Sequence, residues 1–67
     1  MILFYFFHGW NLDKHFFIKA NTNKEAYQIL KRKKPFTYRN YIKMCAITDT
    51  VENRNKYLKD NIILNEH

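Results

Sequence analysis

The stretch Met1-Ile2-Leu3-Phe4-Tyr5-Phe6-Phe7-His8-Gly9-Trp10 opens the chain, and seven apolar residues precede its first polar side chain. Three readings compete for it: a membrane or export segment, a strand buried on both faces, or a strand with one face kept for a partner. Spanning a bilayer takes about 20 apolar residues, and this run stops at His8-Gly9-Trp10. It also lacks the positive n-region and small-residue cleavage site of a secretory signal. The membrane reading is therefore set aside, and the expectation is a cytoplasmic protein with no membrane partner. What remains is a strand from Ile2 to His8, rich in aromatics and ended by Gly9.

Residues 9–14 follow as a turn, with Asn11 and Asp13 as turn formers. His15 to Ala20 reads as a second strand, with Phe16, Ile18 and Ala20 on one face and Phe17 on the other. The next signal is Thr22-Asn23-Lys24-Glu25, a capping box that starts a helix. Ala26, Ile29 and Leu30 share one face of it, and Pro35 disfavours helix at Lys34, so it ends near Lys33. Tyr41 to Thr48 is a third strand, in which Ile42, Met44 and Ala46 alternate with Tyr41, Lys43, Cys45 and Ile47. Asp49 and Glu52 repeat the cap spacing and predict a second helix from about Thr50 to Lys59, ended by Asn61. Ile62, Ile63 and Leu64 form a last apolar patch, either an edge strand or a packed tail.

The expected fold is one small α+β domain over residues 1–67, in β-β-α-β-α(-β) order. Its sheet is three-stranded and mainly antiparallel, with the first strand central and one helix packed on one face. The second strand, the helix and the third strand make a right-handed crossover. One alternating set of the first strand, with Phe17 and Tyr41, is expected on the face away from that helix. Twelve aromatic residues exceed what so small a core needs, so some should reach the surface. Three covers for that face stay open: the second helix or tail, a homodimer, or a different partner.

A 67-residue chain buries only about 60% of its unfolded surface, so the core is marginal. Cys45 is the single cysteine, which excludes an internal disulfide. The net charge is +6, which points to an anionic partner. Lys, Asn, Ile, Phe and Tyr supply 35 of the 67 residues and serine is absent, as expected of an AT-rich coding sequence from a phage or mobile element. Part of the charge follows from that bias.

Catalytic and metal chemistry find little support. His8, His15 and His67 match no zinc spacing, and a structural zinc needs four placed ligands. A lone cysteine on a strand is expected as a small buried hydrophobe rather than a nucleophile. Serine chemistry is excluded by composition, and one glycine cannot build a phosphate loop. The carboxylates sit at turns, caps and the tail. The expectation is no enzyme activity and no cofactor.

The stretch that reads as a binding segment is 31–43. Lys31, Arg32, Lys33, Lys34, Arg39 and Lys43 alternate there with Phe36, Tyr38 and Tyr41. Cations neutralise phosphates and exposed aromatics stack on unpaired bases. Against this, cations at a helix C-terminus also complement its dipole. Trp10 is either the lid of the core or an interface anchor, since tryptophan, tyrosine and arginine dominate binding hot spots. The pattern Phe7-x-Gly9-Trp10 is similar to the hairpin opening of a phage-encoded antitoxin that blocks a host RNA-degrading toxin. Four residues carry that resemblance, the basic middle of the chain departs from it, and no residue role is transferred. The expected function is a small interaction or inhibitor protein that masks a host protein surface. The alternative is a nucleic-acid-binding protein using 31–43.

Overall fold

The computed structural model describes residues 1–10 and 15–66. The expected Asn11–Asp13 turn and His67 lie outside that range. Three strands form one sheet: β1 (Ile2–His8), β2 (His15–Ala20) and β3 (Tyr41–Thr48), in the order β2-β1-β3. β1 is antiparallel to both neighbours, so the most apolar strand is the central one, as its sequence requires. The helix α1 (Asn23–Lys33) packs on one face. Thr22 Oγ1 accepts the Glu25 N–H at 3.1 Å and caps it, and the Lys34 N–H closes its end on the Leu30 carbonyl.

Under α1 lie Phe4, Phe6, Phe16, Ile18, Ala20, Ala26, Ile29, Leu30 and Tyr41, all buried. Phe6, Ile18 and Leu30 are fully enclosed. A smaller core on the far face joins Leu3, Phe17 and Ile63, flanked by Tyr5, Ile47 and Leu58. The even positions of β1 thus face the helix and the odd ones face away.

β3 departs from strict alternation. Tyr5 pairs with Cys45 but Phe6 pairs with Lys43, so Met44 is an extra, bulged residue. A one-residue slip exchanges the faces of everything beyond it. Tyr41, expected on the far face, therefore joins the helix-side core, packed against Phe16 at 4.9 Å between ring centroids. Lys43 turns to the same side, its Nζ 5.8 Å from the Phe4 ring centre.

The expected second helix is shorter and differently capped. One α-turn, α2 (Val51–Asn53), runs into a π-helical stretch, Arg54–Leu58. The cap is Thr50, whose Oγ1 accepts the Asn53 N–H at 3.1 Å. Lys59, at φ 49°, ends the coil ahead of Asn61. Asp49 instead holds Arg54 in a two-pronged ion pair at 2.6 and 2.9 Å. No helix among the described residues is long and apolar enough to cross a membrane.

The last apolar patch settles on the outer edge of β2. The Phe17 N–H donates to the Ile62 carbonyl (2.9 Å), and the Leu64 N–H donates to the Phe17 carbonyl (2.8 Å), giving one parallel bridge at Ile63. The Asn65 side chain continues it. Its Oδ1 accepts the Lys19 N–H (2.9 Å) and its Nδ2 donates to the Lys19 carbonyl (2.7 Å). Arg54 and Lys19 then tie Glu66 and Asp49 into one ion network.

Candidate functional site

α1 runs back from the Ala20 end of β2 and delivers its C-terminal cations to the opposite end of the sheet, where β1 finishes and β3 begins. Lys31, Arg32 and Lys33 occupy its last turn, where positive charge complements the helix dipole. The chain then folds through a 3-10 turn, Tyr38–Asn40, before entering β3. The Gly9 N–H donates to the Asn40 carbonyl at 2.8 Å and fastens the Gly9–Trp10 corner to that turn. Trp10, Phe36, Tyr38 and Arg39 are thereby placed on segments that share one end of the molecule.

Two of these aromatics face solvent almost completely. Phe36 is 97% exposed and Trp10 is 87% exposed. Trp10 is therefore not the lid of the core; its backbone N–H donates to His8 Nδ1 at 3.1 Å. Tyr38 is half-buried against the core, with Lys31 and Arg39 5.7 and 5.6 Å from its ring centre. Arg39 Nε donates to the Tyr38 hydroxyl at 3.2 Å. That bond, aided by the charges of Arg39 and Lys31, holds the Tyr38 phenol below its ordinary pKa.

The remaining members of the 31–43 set separate by role. Arg32 and Lys33 are exposed. Lys34 is half-buried, 5.9 Å from the Phe16 ring centre. Lys43 donates from Nζ to Asn23 Oδ1 at 2.7 Å and lies along Phe4. Tyr41 is buried, with His8 set edge-on to it. Among the described residues no carboxylate pairs with any of the six cations of this segment. Asp49 and Glu66 pair at the far end, where Glu25 opens α1 and Glu52 lies in α2. Asp60 lies outside that group, beside His15, and Lys19 and Arg54 hold the acidic pair, so the contrast is between the paired cations there and the unpaired cations of 31–43.

Sequence reasoning missed a second exposed group. One helix is about 10 Å across and covers about two strands spaced 4.8 Å apart, so α1 shields β2 and β1 and, of β3, encloses only Tyr41. Ile42, Met44, Ala46 and Cys45 are exposed on β3. Cys45 is thus a surface thiol, not the buried hydrophobe expected. On α1, Lys24, Tyr27, Gln28 and Lys31 form a stripe that meets Tyr38 around an open depression of about 420 Å³. The spacing i, i+3, i+4, i+7 marks that stripe in the sequence, but its position beside the exposed stretch of β3 is a tertiary fact.

The histidines stand on opposite faces of the sheet: His8 packs on Tyr41, and His15 Nδ1 lies 2.9 Å from the Tyr5 hydroxyl on the other side. Among the described residues no three metal-ligating side chains gather. Comparison with protein-family models, with curated proteins and with solved structures finds no match to this chain.

Proposed function

We propose that this chain is a non-catalytic binding protein that covers an acidic surface of a target protein in the cytoplasm. The observation that carries the reading is the near-complete exposure of Phe36 and Trp10 at the cationic end. A large aromatic left in water forgoes about 25 cal/mol for each Å² that a partner could bury. Tryptophan, tyrosine and arginine are also the residues on which interface energy concentrates. Lys31, Arg32, Lys33 and Arg39 lie on the same segment as Phe36 and pair with no carboxylate among the described residues, and such positive charge favours an acidic partner and speeds encounter with it. The composition fits a small gene of a phage or mobile element, for which masking a host protein is an economical mode of action.

The test is capture from a nuclease-treated bacterial lysate on the immobilised chain, beside a Trp10→Ala, Phe36→Ala variant of equal stability. One stoichiometric protein, held by the first and lost from the second, is the expected result. Each anchor should contribute roughly 2 kcal/mol to that affinity. Equal capture by both chains would remove the aromatic end as the site. A second reading, nucleic-acid binding, draws on the same unpaired cations. It predicts affinity falling by about 0.7 to 0.9 log units per tenfold salt for each phosphate contacted. A nearly flat salt dependence would eliminate it.

A further inference from the structure

We infer that the target presents an extended acidic segment, which adds as a fourth strand to the free edge of β3. The inference rests on the protein-binding reading above and specifies what that partner looks like. Three observations meet at this edge. First, its backbone is available. Ladder bonds at the two ends of the β1–β3 pair, Asp49 N–H to Met1 O and Gly9 N–H to Asn40 O, set the alternation. With the bulge at Met44, that alternation aims the Lys43 and Ala46 backbone groups away from β1. Among the described residues neither has another backbone partner, whereas the outward groups at the two ends of the strand are taken: the Tyr41 N–H donates to the Tyr38 carbonyl, and the Thr48 carbonyl accepts from Asn53 Nδ2 at 2.8 Å. The opposite edge of the sheet is closed by residues 62–65, so strand addition has one place to go.

Second, the two sides of the edge differ in chemistry. On the helix side an added strand meets Lys24, Lys31 and Lys43 around Tyr27, with no described carboxylate lining the depression. On the other side its side chains reach a mainly apolar groove of about 450 Å³ that crosses the far face of the sheet, lined by Cys45 and Ile47 of β3 together with Tyr5, Phe17, Tyr57 and Asn61. Successive residues of a strand point to opposite faces, so the complementary segment alternates acidic and apolar side chains. Third, charge selects the occupant. A second copy of this chain would bring Lys43 and a net charge of +6 against the same cations. Lysine and a bulge are the usual guards of an edge against self-pairing. An acidic strand converts the same lysine into an attraction, as in other modes of strand addition.

The test uses three capped peptides of about eight residues, long enough to span β3. One alternates Glu and Val, one carries the same residues in two blocks, and one alternates but is N-methylated at every second amide. Binding to the full chain is followed by residue-resolved amide shifts and exchange. The alternating peptide should bind tightest and slow exchange at Lys43 and Ala46. N-methylation of the face that pairs should weaken it roughly tenfold, the loss of about two hydrogen bonds. Ala46→Pro removes one outward donor and should weaken it as well, leaving the β1 ladder intact. Equal affinity for all three peptides would overturn strand addition and leave only charge attraction. So would shifts confined to Trp10 and Phe36, self-association through β3, or an oligothymidylate that protects these amides where the alternating peptide does not. The aromatic-anchor reading is judged separately, by the Trp10→Ala, Phe36→Ala capture, so the two failures are distinguishable.

Discussion

β2 and β3 flank the same central strand, yet one is sealed and the other is open. β2 has α1 over one face, Leu3 and Ile63 packed beside Phe17 on the other, and its edge closed by residues 62–65. β3 is covered only at Tyr41 and Ile47, carries a bulge at Met44, and has an edge that among the described residues is bonded only at its ends, through the Tyr41 N–H and the Thr48 carbonyl. The difference teaches how a 67-residue chain divides its apolar residues. With material for one full helix, it completes a core around β1 and β2 and leaves β3 and the 31–40 segment for contact. Stability is expected to reside on the β2 side and binding on the β3 side.

The strongest way to break that division is a cavity on the sealed side. Ile18 is fully buried, so Ile18→Ala should cost about 2–5 kcal/mol. A domain of this size has roughly 3–10 kcal/mol in all, so urea denaturation should show a chain close to unfolding. Next is the edge closure. Asn65→Ala removes both bonds to the Lys19 backbone and should cost about 1–2 kcal/mol by the same measurement. A loss below a few tenths would show that the tail does not seal β2.

The third prediction concerns pH. The hydrogen bond from Arg54, with help from Lys19 and against the cost of burial, lowers the Asp49 pKa to about 2 from 3.8. Glu66 is shifted in the same direction by the same partners. A carboxylate with a depressed folded-state pKa contributes stability that is present above its unfolded pKa and disappears as pH falls through the folded one. Stability should therefore be level above about pH 5 and decline toward pH 2, by on the order of 1 kcal/mol from Asp49 after solvent screening. Asp49→Asn should flatten that decline; an unchanged slope would assign it to other groups. The smallest effect belongs to β3. Ile42 is 52% exposed, and Ile42→Ala should change stability by no more than about 0.5 kcal/mol. A loss as large as that of Ile18→Ala would erase the contrast between the two strands.

The element boundaries were legible because strong local signals mark them. Gly9 stops β1, Thr22 caps α1 and Pro35 prevents its continuation. Central placement of β1 followed from its apolar run. The parity of β3 was not legible: Tyr41-Ile42-Lys43-Met44-Cys45-Ala46 contains no glycine or other mark of a bulge, so Tyr41 and Lys43 were assigned by strict alternation to the wrong side. Asp49 and Thr50 are both good caps, and local sequence cannot reveal that Arg54 and Lys19 claim the carboxylate. The Asn65–Lys19 clasp joins residues 46 apart and leaves no local trace. At the candidate site, the cluster of cations was visible in the sequence. Which aromatics are core and which are surface was not, because Tyr41 and Phe36 differ only in what the tertiary fold sets over them.

The most direct test of a sealed β2 and an open β3 is residue-resolved amide hydrogen exchange on the free chain. The amides of Phe17 and Lys19, though on an outer strand, should be protected by Ile62 and Asn65, while those of Lys43 and Ala46 exchange at rates close to those of exposed backbone. Equal protection on the two strands would contradict this division, because it would mean that β3 is already covered in the free protein.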